Sequence, residues 1–121
     1  MSENDAATTT LASVDPKKAQ ELIESGATLV DVRLDYEWEA GHIAGAQRIE
    51  MNDLVAAADS LPKDKPLVFY CRSGNRSSMP AVAFREAGYD AYNVEGGLLA
   101  WVEAGLPIEP ENGTVAEVRP R

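Results

Sequence analysis

Leu67-Val68-Phe69-Tyr70 runs directly into Cys71-Arg72-Ser73-Gly74-Asn75-Arg76-Ser77. Four consecutive apolar residues, aromatic or β-branched for the most part, read as a strand buried on both faces, because a strand with one wet face alternates in polarity. The residues after them are small, polar or cationic, and residues 78–87 read as a helix closed by Gly88. A strand that empties through a polar loop into a helix is the repeating unit of an α/β domain. Such domains hold their ligands at the carboxyl ends of strands, which is where this loop lies.

The same alternation extends in both directions. Leu29-Val30-Asp31-Val32 and Ala91-Tyr92-Asn93-Val94 read as further buried strands, and Gln47-Arg48-Ile49 as a weaker one. Asp15-Pro16 opens a helix, with Asp as cap and Pro in a first-turn position that needs no N–H; Ala19, Leu22 and Ile23 share a face, and Gly26 ends it. Residues 52–60 and 97–104 are also helical in character. These elements predict an α/β domain with a mostly parallel sheet flanked by helices on both faces. The 121 residues, 45% of them hydrophobic, suffice for one core. Residues 1–9 are expected to form a mobile arm, 10–107 the domain, and 108–121 a tail that wraps the surface or frays.

A net charge of −9 disfavours nucleic acid and anionic membrane as partners. There is no apolar run long enough to span a bilayer and no secretory start, so the expected location is cytoplasmic. One Cys and one His make neither an internal disulfide nor a closed zinc site, and no metal or cofactor is expected. The chemistry therefore falls to the loop at 71–77. Gly74 gives it backbone freedom, and small Ser73 and Asn75 allow it to curl so that successive N–H groups point inward as an anion cradle. With Ser77 capping the following helix, Pro80 takes its third position, where no donor is lost. At the floor of the cradle Cys71 is the candidate nucleophile, its thiolate favoured by oriented amides and by Arg72 and Arg76. Two cations in one turn of an acidic chain point to an anionic ligand.

The stretch Cys71 to Arg76 resembles the active-site loop of the rhodaneses, which are sulfurtransferases. Two other stretches resemble the same family. One is Asp31-Val32-Arg33 with Tyr36-Glu37-Trp38 and Gly41-His42-Ile43-Ala44-Gly45-Ala46. The other is Asn93-Val94-Glu95-Gly96-Gly97 with Trp101 and Gly105-Leu106-Pro107. The departures are Ala44, where members of the family often carry Pro, and Pro80. The resemblance implies a five-stranded, largely parallel sheet and a persulfide on Cys71. The sulfur would come from a small anionic donor such as thiosulfate and pass to cyanide or to a thiol, either a small one or that of a thioredoxin-like protein. Asp31, Arg33 and His42 are read as structural supports rather than catalysts, and Gly96-Gly97 as allowing close backbone approach to the Cys71 loop. Two other readings compete. A cysteine phosphatase or arsenate reductase places five residues between Cys and Arg, whereas Cys71 and Arg76 enclose four. A persulfide carrier or protein-docking module would use the same surface without turnover on small donors.

Overall fold

The computed structural model describes residues 12–118, so the arm expected over 1–9 lies outside it. In chain order the elements are β1 (Ser13–Val14), α1 (Pro16–Glu24), β2 (Thr28–Asp31), α2 (Asp35–Ala40), β3 (Gln47–Arg48), α3 (Leu54–Ala57), β4 (Leu67–Tyr70), α4 (Asn75–Glu86), β5 (Ala91–Val94) and α5 (Gly97–Glu103). The strands form one five-stranded sheet in the order β1-β5-β4-β2-β3, with every pair parallel. All four residues of β4 are buried, as its unbroken apolar run requires of a strand covered on both faces.

Because side chains alternate along a strand, β4 feeds two cores. Leu67, Phe69 and Cys71 pack with Val30, Ala81 and Phe84 beneath α3 and α4. Val68 and Tyr70 pack with Leu29, Ala19, Leu98 and Trp101 beneath α1 and α5. The chain leaves β2 outward to the edge strand β3 and leaves β4 in the opposite direction to β5. The loops after β2 and β4 therefore diverge, and parallel sheets open a crevice at such a point.

Local chemistry accounts for most boundaries. Asp15 caps α1, its carboxylate accepting the Lys18 N–H at 2.8 Å, with Pro16 in the first turn. Strand β1 is two residues long and α2 six, too short for either periodicity to announce them. Residues 51–60 form two 3-10 turns around the four-residue α3 instead of one helix. Ser77 does not cap α4. Gly74 does, at a φ of 93° that a glycine adopts freely, so the helix begins at Asn75 and Pro80 falls inside it. The ring of Pro80 leaves the Arg76 carbonyl without a helical donor, the local departure being confined to one bond.

Residues 108–118 lie against the domain. Glu109 and His42 exchange backbone hydrogen bonds of 2.8 and 2.7 Å, and the Thr114 N–H donates to the Ala40 carbonyl at 2.8 Å. Among the described residues no helix is long and apolar enough to cross a membrane.

Helix α5 meets the Cys71 loop at Gly97, with φ of 61°, where a Cβ would stand 2.6 Å from the carbonyl oxygens of both Cys71 and Arg72. Gly97→Ala therefore combines a left-handed alanine with a backbone clash and should lower stability by more than about 1 kcal/mol, read as a lower urea midpoint. An unchanged midpoint would show that the loop and α5 can part without cost.

Candidate active site

Cys71 follows the last residue of β4 and is fully buried. Its Sγ accepts the Gly74 N–H at 3.1 Å and the Ser77 hydroxyl at 3.3 Å. The peptide planes of the loop are fixed from behind, because Leu98 N–H donates to the Cys71 carbonyl at 2.9 Å and Leu99 N–H to the Arg72 carbonyl at 3.0 Å. A trans peptide carries its N–H opposite its C=O, so the N–H groups of Arg72 and Ser73 face away from α5, toward the inside of the turn. The helix start at Asn75 adds first-turn N–H groups without helical acceptors.

Asn93 of β5 ties the arrangement together. Its Nδ2 donates to the Gly74 carbonyl at 3.2 Å, which turns its Oδ1 toward Ser77, whose hydroxyl lies 2.5 Å away. Ser77 and Asn93 are both buried. One hydroxyl proton thus has two acceptors, the amide oxygen and the Cys71 sulfur. Sequence reasoning placed Asn93 in a strand and gave it no role at the site. The signal was a polar amide on the same strand face as buried Ala91.

The cations are deployed unequally. Arg76 makes a bidentate pair with the buried Glu37 carboxylate, at 2.9 and 2.8 Å, so its charge is already balanced. Arg72 donates from Nε to the Ala116 carbonyl at 3.1 Å, and among the described residues its Nη groups have no hydrogen-bond partner. Ser73 and Asn75 are exposed on the rim of the turn.

Asp31 and Arg33 form a second bidentate pair at the end of β2, fully buried, with contacts of 2.9 and 2.7 Å. Arg33 also donates to the Gly41 carbonyl at 2.8 Å, joining β2 to the end of α2. Burial raises the Tyr70 phenol far above its usual range; its oxygen accepts the Ile43 N–H. His42 stacks on Trp38 with ring centroids 3.6 Å apart and hydrogen-bonds the Trp38 carbonyl through Nδ1. Its backbone and its Nε2 face Glu109, so the structure joins it to the C-terminal segment. Among the described residues no group of three or more His, Cys, Asp or Glu side chains comes together as a metal site.

Comparison with known proteins matches residues 15–104 to the model of the rhodanese-like domain. The chain is 38% identical over 108 residues to the thiosulfate sulfurtransferase GlpE of Pseudomonas aeruginosa, covering 86% of this chain and 94% of that one. It is 35% identical over 102 residues to the probable adenylyltransferase/sulfurtransferase MoeZ of Mycobacterium tuberculosis, covering 79% of this chain but only 26% of MoeZ. Among solved structures, a rhodanese-related protein from Thermoplasma volcanium superposes with a TM-score of 0.71 at 34% identity, covering 79% of this chain and 95% of the other.

The Glu37–Arg76 pair should be visible in stability. Burial alone would raise the Glu37 carboxyl, but the hydrogen bonds and charge of Arg76 outweigh it and hold the group below its usual value. A depressed carboxylate stabilises fully above the unfolded value, about 4.3, and that contribution is lost as the pH falls below it. Glu37→Gln should therefore cost about 1.5 to 3 kcal/mol at pH 7 and flatten the loss of stability as the pH falls below the ordinary carboxylate value, measured by urea midpoints. Equal midpoints for the two proteins at pH 7 would show that the pair is energetically neutral.

Proposed function

The chain belongs to the rhodanese-like domain family, and from that premise we propose that it is a sulfurtransferase that carries a sulfane sulfur as a persulfide on Cys71. The observation that supports this most directly is the Cys71 sulfur held at 3.1 Å from the Gly74 N–H, in a turn whose carbonyls at Cys71 and Arg72 are drawn off to α5. Such a turn offers donors to a sulfur anion and no competing acceptor.

In the first half-reaction the Cys71 thiolate attacks the sulfane sulfur of an anionic donor such as thiosulfate. A new S–S bond forms, the donor's S–S bond breaks, and sulfite departs with the electron pair. In the second, cyanide or a thiolate attacks the outer sulfur and Cys71 leaves as thiolate, so no external oxidant or reductant is consumed. With Arg76 committed to Glu37, attraction of the anionic donor falls to Arg72 and the loop amides. A reducing, cytoplasmic compartment suits a lone thiol nucleophile.

The phosphatase alternative is disfavoured on the same geometry. A phosphoryl group presents three peripheral oxygens and a persulfide one terminal sulfur, and the turn from Cys71 to Arg76 encloses only four residues. A pure carrier would load sulfur from a partner protein and turn over poorly with thiosulfate.

Incubation with thiosulfate should add the mass of one sulfur atom, removable by cyanide, and Cys71→Ser should neither load nor transfer. Arg72→Ala should raise the Michaelis constant for thiosulfate about tenfold or more, the loss of one charge-assisted contact. Aryl phosphates should not be hydrolysed. Sulfur transfer retained in Cys71→Ser, or robust phosphatase activity in the parent, would overturn the reading.

A further inference from the structure

Beside the catalytic loop, in the crevice where the connections after β2 and β4 diverge, lies a cavity of about 280 Å3. Val32 and Leu34 line it from the β2 side, Met51 with its neighbours Glu50 and Asn52 from beyond β3, Arg76 from α4, and Val118 from the C-terminal segment. Its volume sits at the small end of ordinary small-molecule sites.

The charges around it are already partnered. Arg76 is held by Glu37, and Glu50 pairs with Arg48 at 3.3 Å. The remaining wall is largely aliphatic. A dianionic sulfur donor gains little in such a place, whereas an uncharged organic group gains by leaving water. The cavity meets the loop at its far end, since Arg76, in its wall, closes the turn that Cys71 opens, and Val32 on its β2 side packs in the same core as Cys71.

Resting on the Cys71 persulfide reading, we propose that this cavity seats the body of the sulfur acceptor, and that the acceptor is a low-molecular-weight, uncharged organic thiol. From that seat its thiolate attacks the outer persulfide sulfur. The new S–S bond forms as the bond to Cys71 breaks, the acceptor leaves as its own persulfide, and the Cys71 thiolate is restored. Val118 sets the size of the seat. Its segment is tied to the catalytic loop through Arg72 and the Ala116 carbonyl, so the wall and the loop hold one position relative to each other.

The test separates the two half-reactions. Protein loaded with thiosulfate, verified by mass and freed of excess donor, is discharged in single turnovers by 2-mercaptoethanol or by cyanide, which is small enough to need no seat. Val118→Trp and Met51→Trp should lower the ratio of the 2-mercaptoethanol rate to the cyanide rate by about tenfold, the scale on which pockets resolve small changes in fit. Val118→Gly should raise the rate with benzyl mercaptan relative to 2-mercaptoethanol. In the parent, 2-mercaptoethanol should outpace dianionic mercaptosuccinate at matched thiolate concentration. Val118 is 55% exposed, so its replacement leaves the core intact and decides the matter if Met51→Trp does not fold. An unchanged rate ratio in Val118→Trp, or equal discharge by mercaptosuccinate, overturns the acceptor seat while leaving the persulfide standing. Failure of the parent to load sulfur overturns the persulfide reading itself, and the seat with it.

Discussion

Leu98 and Leu99 direct their N–H groups at the carbonyls of Cys71 and Arg72, and the orientation of the turn at 71–76 depends on that contact. With the carbonyls drawn outward, the amides of the same peptide planes can only face inward. The contact needs β5 beside β4 and running parallel to it, so that both strands release their helices at the same end of the sheet. An antiparallel β5 would deliver α5 to the opposite edge. It also needs a residue without a Cβ where α5 meets the loop, which Gly97 supplies. Sheet order, strand direction and one glycine thus act on the same two peptide planes.

The buried charges brace this turn from its other side. Asp31, Arg33 and Glu37 are all fully buried in a protein of net charge −9, and desolvating each is costly unless it is paired and hydrogen-bonded. Asp31 and Arg33 satisfy one another, and Arg33 reaches on to Gly41. Its Nη1 has no hydrogen-bond partner among the described residues, but the guanidinium stands 5.5 Å from the centre of the Tyr70 ring, where a cation is favoured. Glu37 holds Arg76 across the crevice, joining α2 to α4. These pairs fix where the loops after β2 and β4 lie. They also take Arg76 out of the supply of unbalanced positive charge on the loop, which leaves Arg72 as the loop cation without a carboxylate partner among the described residues.

The central strands and the polar loop were legible in the sequence because each carries a strong local signal. The run at 67–70 has no polar interruption, and the composition changes abruptly at Cys71. The count of five strands came from the family resemblance, since β3 carried only the weak signal of Gln47-Arg48-Ile49 and β1, two residues long, carried none and owes its existence to β5, distant in sequence. The start of α4 was misplaced by three residues because serine is the commoner cap, whereas the structure uses Gly74, in a left-handed conformation with the backbone of Val94 and Gly96 close by. Asn93 and Ala116 were missed for a related reason. Their partners in the loop are 19 and 44 residues away, and one of them acts through a backbone carbonyl that has no residue signature at all.

In the proposed function, burial of Cys71 bears on which bond is exchanged. A persulfide contains two electrophilic sulfurs. Attack on the outer one passes sulfur on and restores Cys71, whereas attack on the inner one expels hydrosulfide and leaves a mixed disulfide that blocks the site. Attack on the inner sulfur has to come in line with the S–S bond it breaks, from the side of Sγ opposite the outer sulfur, and Cys71 is packed into the domain there, whereas loading uses the side on which the outer sulfur ends up. In the proposed persulfide the outer sulfur would extend the side chain by one S–S bond, about 2 Å. On the sulfurtransferase reading, depth therefore selects the productive bond: the same packing that hides the thiol from bulky reagents presents only its cargo to the acceptor.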